Sequence, residues 1–493
     1  MKKKIIAIDQ GTTSSRAVLF DEEGSLLASE QKEFSQFFPS NGWVEHDPEE
    51  IWASVSKVII DLKRKNSIQD DEIASIGIAN QRETTLLWDR RTGKAIYPAI
   101  VWQDRRTAKF CEELRTDFVE DEIKEKTGLL IDPYFSATKL SWLFNNIDGI
   151  RKKADKGELA FGTIDSFLIW RLTGGKVHKT EATNASRTML FNIKENNWDK
   201  DLLKLFKLPE SIFPEVCDSA HNFGETALFG GRISIGGVAG DQQAALIGQC
   251  CFDQGDAKST YGTGCFLLLN TGKNIVLSKN KLLTTIAYRI EGKTTYGIEG
   301  SVFVAGSSIQ WLRDKLGFFE DAKETENIIR SAKRNLKVFV VPAFTGLGAP
   351  HWNPDARGAI YGLTRDAGIP EITLATLQSV AFQTKDLVIA MKKDGAELEE
   401  LSVDGGMVSN SRFVQELSNT LNLNILKPKF IETTSRGAAL LAGLQAGIFE
   451  NLDEIKKNWQ PEKIFRPDKD EVVFMEKKYK DWLVAVKRTS DFL

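Results

Sequence analysis

The chain has 493 residues, too many for one core at roughly 100–200 residues per domain, so two large domains are expected. With 65 basic and 68 acidic residues its formal charge is -3, which argues against nucleic acid or an anionic membrane as partner and favours a small neutral or anionic metabolite. Five cysteines without CxxC spacing and four scattered histidines speak against a disulfide framework, a zinc site or a His-based metal site, and predict reduced core thiols.

In chain order, residues 3–8 and 16–20 are apolar and strand-like, DEEG at 21–24 is a turn, and a third strand is expected near 26–34. The opening MKKKIIAIDQ carries too few apolar residues for a signal peptide, and no run approaches the roughly 20 apolar residues of a membrane span, so a cytoplasmic protein is expected. From Asp47 the period changes. Asp47 is placed to cap a helix, Pro48 suits its first position, Glu50 is read as completing a capping box, and Ile51, Val55, Val58, Ile59 and Leu62 share one face. Residues 73–79 and 84–88 read as further strands. Strands and helices alternate, so the class is α/β. The second half repeats the opening: residues 256–272 are strand, Gly/Thr/Gly turn, strand and turn. Strands follow at 284–288 and 294–299, a helix at 307–316, a strand at 338–344 and a long helix at 372–392. A strand at 401–404 and helices near 411–421 and 436–446 complete a duplicated architecture, with the boundary expected near 248–256.

Four stretches carry chemistry. In IAIDQGTTSSRAV a Gly- and Thr-rich hairpin turn directs backbone N–H groups and hydroxyls into one concavity, as a polyphosphate needs. Gly11 permits close approach, Thr12, Thr13 and Ser14 are donors, Arg16 adds charge, and Asp9 is a candidate for Mg²⁺, usually through water. An ordinary polar turn is the plain alternative. A second GTG hairpin at Gly262–Gly264 favours two facing phosphate clips. In GVAGDQQAALIGQ, Asp241 is read either as a helix N-cap or as an acid that takes a proton from a substrate hydroxyl. In IGIANQRETTLLWD, Arg82 and Glu83 are either a solvated loop pair or charges bracketing the hydroxyls of a polyol. Trp102 and Phe266 are then candidates for an apolar wall, unless they are plain core. In LSVDGGMVSNSRFVQ a glycine pair precedes a helix start at Asn410, which suits a base and ribose or is a simple strand-to-helix turn; neither the Walker loop nor GxGxxG occurs.

Together and in this order, these pieces resemble the actin-like ATPase superfamily and, within it, the FGGY carbohydrate kinases. Residues 134–146 (YFSATKLSWLFNN) and 358–378 (GAIYGLTRDAGIPEITLATLQ) resemble that family's two signatures. NGWVEHDPEEIW, NQRETT, VWQDRRT, IDPYFSATK, TNASRTML, AGDQQAAL, TYGTGCF, SIQWLRD and VPAFTGLGAPHW are similar to its glycerol-phosphorylating branch, from Ile5 to about Asn451. The resemblance implies two duplicated actin-like ATPase (ribonuclease H-like) domains, residues 1–250 and 251–493, with a cleft between them. It implies a glycerol site of Arg82, Glu83, Tyr134, Asp241 and Gln242, with Trp102 and Phe266 against the carbon chain and Asp241 as base. It further implies ATP on Thr12, Thr13, Ser14, Arg16, Thr263, Gly306, Gln310, Gly406 and Asn410, Mg²⁺ near Asp9 and Asp241, and a homodimer or homotetramer. At 227–237 the chain reads ALFGGRISIGG where some relatives carry a longer glycine-rich segment for a sugar bisphosphate, so that feedback is not expected here. Two rivals stand beside this reading. A kinase of the same family for xylulose, ribulose or gluconate is disfavoured by NQRETT with IDPYFS, which suit a three-carbon triol. An actin-like filament or chaperone ATPase has no need of Arg82, Glu83 or Trp102.

Overall fold

Two sheets organise the chain, and they are wound in the same order. The first carries Lys4–Gln10, Ser14–Phe20 and Leu26–Glu33 as an antiparallel meander. Ile73–Asn80 then joins Lys4–Gln10 in parallel, Ile233–Gly240 joins Ile73–Asn80 in parallel, and a two-residue strand, Glu225–Thr226, closes the edge. In the second sheet, Ala257–Tyr261 and Cys265–Gly272 form the hairpin, Lys293–Val302 pairs with Cys265–Gly272, and Leu283–Ile290, earlier in the chain, takes the edge beyond it. Glu400–Asp404 and Asn424–Pro428 add in parallel, and Pro461–Phe465 closes the far edge. This is the two-domain fold of the actin-like ATPase type, seen in a computed structural model that describes residues 3–353 and 355–491.

The two halves share a core. The helix Thr433–Gln445 comes from the second half of the chain, yet it packs on the helix Asp241–Gly248 and on the three parallel strands of the first sheet. Small residues permit that approach. A methyl group on Gly77 would stand 2.0 Å from the Ala438 carbonyl oxygen, and one on Gly437 1.8 Å from that of Ala244. Around them Ala79, Ala239, Leu246, Leu268, Ala287 and Leu441 form one buried cluster drawn from both sheets. Close packing of this kind has no room for an extra carbon.

Most expected elements form, and two local expectations need correction. Asp47 caps the helix Pro48–Lys65 by accepting from Glu49 N at 2.8 Å, with the apolar stripe of Ile51, Val55, Val58, Ile59 and Leu62 buried. Glu50 does not complete a capping box: its carboxylate accepts from Ser35 N at 2.8 Å instead. The strand expected from residue 84 starts at Leu86, because Glu83 interrupts the chain at φ +59°. All five cysteines are buried and unpaired. Among the described residues no helix is long and apolar enough to cross a membrane.

Gly77→Ala is expected to lower the unfolding free energy by about 2 kcal/mol or more, the cost of overpacking a filled interface, read as a lower thermal midpoint. Gly395→Ala, at a glycine with no heavy atom within 4 Å of the added carbon but with φ +82°, tests strain without crowding and is expected to cost less.

Candidate active site

Three neighbouring strand ends converge on one crevice. Asp9 pairs with Ala79, Gln10 with Asn80, and Asn80 with Gly240, so Asp9, Arg82 and Asp241 all leave the sheet at the carboxyl ends of parallel strands. Ligand sites form there in open α/β sheets. The first hairpin is closed by Gly11 N donating to the Ser14 carbonyl at 2.9 Å. Thr12 Oγ1 accepts from the Trp102 indole at 2.9 Å, and Ser14 Oγ accepts from Gln31 at 3.0 Å. Thr13 is exposed at the tip. Arg16 pairs with Glu432 from the far end of the chain and donates to Gln31 at 2.8 Å.

Asp241 is not the N-cap. Gly240 holds that position and Asp241 is the first helical residue. Its carboxylate accepts from Gln242 N at 2.7 Å and lies 3.2 Å from Arg82 Nε. Gly240 itself is anchored by its N–H to Thr183 Oγ1 at 2.9 Å, and Thr183 in turn donates to the buried Glu181. The acid therefore stands on a fixed backbone. Asp9 feels the same crowd of charge. Burial pushes its carboxyl up to about 7; Arg16 opposes the rise, while Asp241 and Glu432 add to it. A buried acid raised in this way, with a second carboxylate close by, suits a divalent cation between the two.

Arg82 and Glu83 are adjacent in sequence but do not bond to each other. Glu83 sits in a γ-turn in which Thr84 N donates to the Arg82 carbonyl at 2.7 Å. That strained turn is held by Ser136 Oγ, Thr85 Oγ1 and Lys139 Nζ, which donate to the Glu83 carbonyl at 3.0, 3.0 and 3.3 Å. It sends the two side chains to different partners. Arg82 donates to Glu299 at 2.5 and 3.2 Å, and Glu83 accepts from Arg187 at 2.7 Å. Arg187 also donates to Glu299 at 2.9 Å. The result is a buried run of alternating charge, Glu83, Arg187, Glu299, Arg82 and Asp241, of which only Asp241 is substantially open to solvent, at 30%. Burial alone would lift Glu299, but Arg187 and Arg82 outweigh it and hold it at about 2. Burial raises Glu83 against the pull of Arg187 and Arg82. Sequence reasoning does not single out Arg187, although the family-like stretch TNASRTML contains it, nor Glu299, whose strand gives no local sign of a charged partner.

The aromatic residues form the opposite wall. The Trp102 ring stands 5.7 Å from Tyr134 and 6.3 Å from Phe266, in both cases edge to face. The Arg187 guanidinium lies 5.7 Å from the Tyr134 ring. Burial pushes the Tyr134 phenol up, and Glu83 adds to it, so it remains a neutral donor. Phe266 belongs to the second sheet and Trp102 hydrogen-bonds the first hairpin, so this wall joins the two halves. Gln242 is buried beside it and accepts from Lys258 of the second sheet.

The second hairpin mirrors the first. Gly262 N donates to the Gly264 carbonyl at 2.9 Å. The Thr263 carbonyl is occupied by Ala305 N and Ser307 N at 3.0 and 3.1 Å, leaving the exposed threonine hydroxyl free of that clamp. Gly306 opens the helix Gly306–Asp314, and a methyl there would stand 2.5 Å from the Gly262 oxygen and 3.5 Å from Met407. Gln310 is exposed one turn along. Gly405, at φ +90°, passes within contact of the Tyr261 backbone, whereas a methyl on Gly406 would have no heavy atom within 4 Å, so Thr263, Gly306 and Gly406 surround one open surface. Asn410 caps the helix Ser411–Leu421 by accepting from Phe413 N at 3.0 Å and donates to Thr325 at 3.1 Å, so its side chain is already committed. Elsewhere, Glu215, Cys217 and His221 bring ligand-type atoms within 4.8 Å of one another. Lys179 donates to His221 at 3.2 Å and lies 3.9 Å from Glu215, so that cluster already holds a cation of its own.

The profile of the FGGY family of carbohydrate kinases, N-terminal domain, matches residues 4–248, and that of its C-terminal domain matches residues 257–446. The chain is 55% identical over 490 residues to a glycerol kinase of Marinomonas sp. (strain MWYL1), covering 99% of each. It is 53% identical over 494 residues to a glycerol kinase of Fusobacterium nucleatum subsp. nucleatum, again covering 99% of each. Among solved structures it is similar to Plasmodium falciparum glycerol kinase with ADP, at a TM-score of 0.91 and 38% identity over 99% of this chain and 98% of that one. A gluconate kinase from Lactobacillus acidophilus, at 24% identity and a TM-score of 0.89 over 100% and 99% of the two chains, shares the fold.

The raised Asp9 carboxyl gives a pH signature in protein free of ligand. Its ordinary value is 3.8 and its folded value is about 7, so the folded state holds a proton that the unfolded chain releases. The resulting stability is fully present below the unfolded value and is lost as pH rises through the folded one. The unfolding free energy of the wild type minus that of Asp9→Asn is therefore expected to fall between about pH 4 and pH 7 and to level off above. Denaturant titration across that range measures it, and a flat difference would contradict it.

Proposed function

The chain belongs to the FGGY family of carbohydrate kinases, and from that premise we propose that it transfers the terminal phosphoryl group of ATP to glycerol, giving sn-glycerol 3-phosphate and ADP. The observation that carries this reading is a single acid, Asp241, held by Arg82 beside Gln242 at the strand ends that also bear a phosphate-clip hairpin. Residues 1–250 are read as the domain with the polyol site and first clip, and residues 251–493 as the domain with the second clip and adenosine site.

On this reading Arg82, Glu83, Tyr134, Asp241 and Gln242 bind the hydroxyls, and Trp102 and Phe266 pack against the carbon chain. A triol of three carbons suits a pocket in which an acid, an amide, a guanidinium and a phenol crowd against two rings. Asp241 accepts the proton of a terminal hydroxyl as that oxygen approaches the γ-phosphorus. Phosphoryl transfer asks little covalent chemistry of the protein, so positioning and charge stabilisation carry the rate. Arg16 and the hairpin amides offset charge on the transferring group, with Thr12, Thr13 and Ser14 donating from the first clip. Thr263, Gly306, Gln310, Gly406 and the segment at Asn410 are read as the nucleotide surface of the second half. Asn410 contributes there through its place at the helix start, since its side chain is engaged. Asp9 and Asp241 fit Mg²⁺, which would supply charge neutralisation at the phosphates when bound.

ADP release measured with and without glycerol tests the substrate, with xylulose, ribulose and gluconate alongside; release that depends on one of these and not on glycerol would reassign it. Asp241→Asn is expected to retain nucleotide binding and to turn over at least about a hundredfold more slowly, the usual effect of losing a positioned base. Near-normal turnover in that variant would remove Asp241 from the mechanism.

A further inference from the structure

Lys258 lies on the strand Ala257–Tyr261, which leads directly into the second hairpin, and it is completely buried. Its ammonium has three partners: Gln242 Oε1, Thr260 Oγ1 at 3.0 Å and the Phe266 carbonyl at 3.5 Å. None is a carboxylate, and among the described residues no carboxylate oxygen lies within salt-bridge distance of it. An ammonium taken out of water without an ion pair costs several kcal/mol. Burial accordingly drives its pKa down, while Asp404 and Asp241 at longer range work against that. Such an expense at a site that an apolar side chain could fill asks for a function.

The chemistry of the contact supplies one. An ammonium has donors only, so the end of the Gln242 amide that meets it must be the carbonyl oxygen. The Nε2 end is therefore turned the other way. Gln242 follows Asp241 in the first turn of its helix, and Phe266 presents its ring to Trp102. One buried cation thus holds an amide of the first half and the backbone of a wall residue of the second.

We propose that Lys258 is a positioning residue of the polyol site, which fixes Gln242 with its Nε2 as the donor to a substrate hydroxyl and ties that orientation to the hairpin strand of the second half. The proposal rests on the polyol-kinase reading above. It deepens that reading by making one donor of the substrate pocket depend on a residue that never touches substrate.

Lys258→Met keeps the chain length and removes the ammonium. Relief of the buried charge offsets the loss of a donor to Gln242 Oε1, Thr260 Oγ1 and the Phe266 carbonyl, so the thermal midpoint is expected to change little. The KM for glycerol is expected to rise about tenfold or more, the size of one lost hydrogen bond, with the KM for ATP changed less than about twofold. Gln242→Leu is expected to raise the glycerol KM similarly, and adding Lys258→Met to it is expected to cost less than about twofold more, since both changes disable the same donor. Lys258→Gln carries the same comparison should the methionine variant aggregate. A lower midpoint with unchanged KM values would make Lys258 merely structural, and full additivity with Gln242→Leu would show that it does not act through that amide. Either result overturns the proposal. A wild type that releases no ADP in response to glycerol would overturn the functional reading and this one with it, whereas an active wild type beside an unaltered variant sinks only the role of Lys258.

Discussion

Everything at this site depends on how four charges are kept out of water beside a fifth that is partly open to it. Glu83, Arg187, Glu299, Arg82 and Asp241 alternate in sign, and each inner member touches two of opposite sign. Isolated, any of the four buried members would neutralise itself or unfold its surroundings, because the penalty for a lone buried ion is several kcal/mol. Linked, they offset one another: Glu299 is held at about 2 by its two arginines, against the effect of its own burial. The arrangement is not free of cost, since Arg187 Nη1 is buried without a partner. A run that is only just compensated has one acceptable geometry. That constraint specifies where Arg82 points, and Arg82 specifies where Asp241 stands.

The same run crosses between the two sheets. Glu299 comes from the strand Lys293–Val302 of the second, whereas Arg82 and Glu83 follow a strand of the first. The helix Thr433–Gln445 makes the opposite crossing and brings Glu432 to Arg16 and Ser435 to within 3.5 Å of Asp9. The apolar cluster beneath it supplies cohesion without direction. The ionic and hydrogen-bonded contacts supply direction at modest net energy. The second half therefore contributes residues that orient the first hairpin, which is not defined by its own sheet alone.

How much of this was legible in the sequence follows from the range of each interaction. The hairpins, the Asp47 cap and the apolar stripe of the first long helix are local, so turn chemistry and periodicity reveal them. Glu50 misled because a carboxylate in the first helical turn has more than one N–H within reach, and tertiary structure offered it that of Ser35. Asp241 looked like a cap because its position relative to the helix start differs from a cap by one residue. The strand after NQRETT began late because the γ-turn at Glu83 is stabilised by Ser136 and Lys139, more than fifty residues on. Arg187, Glu299 and Lys258 left no local signal at all. No local pattern names the partners of any of the three, and only the fold brings them together, charged for Arg187 and Glu299 and neutral for Lys258.

The electrostatics of the crevice also bear on the form in which a nucleotide arrives, on the reading proposed above. Asp9, Asp241 and Glu432 face one region, and burial, with a lesser contribution from the other two acids, pushes the Asp9 carboxyl up to about 7. Arg16, the cation nearest the first hairpin, is shared with Glu432 and only partly answers that charge. A polyphosphate carrying its full negative charge would meet carboxylates as well as amides there, and at close range in a partly dry cleft that repulsion outweighs a few neutral hydrogen bonds. On that reading a nucleotide carrying a divalent cation would ease the conflict, with Asp9 and Asp241 as the acids that would hold the cation. On the same reading the acids of the crevice would favour a cation-bearing nucleotide over a bare one, a preference set by charge and not by any group specific to the base or the sugar.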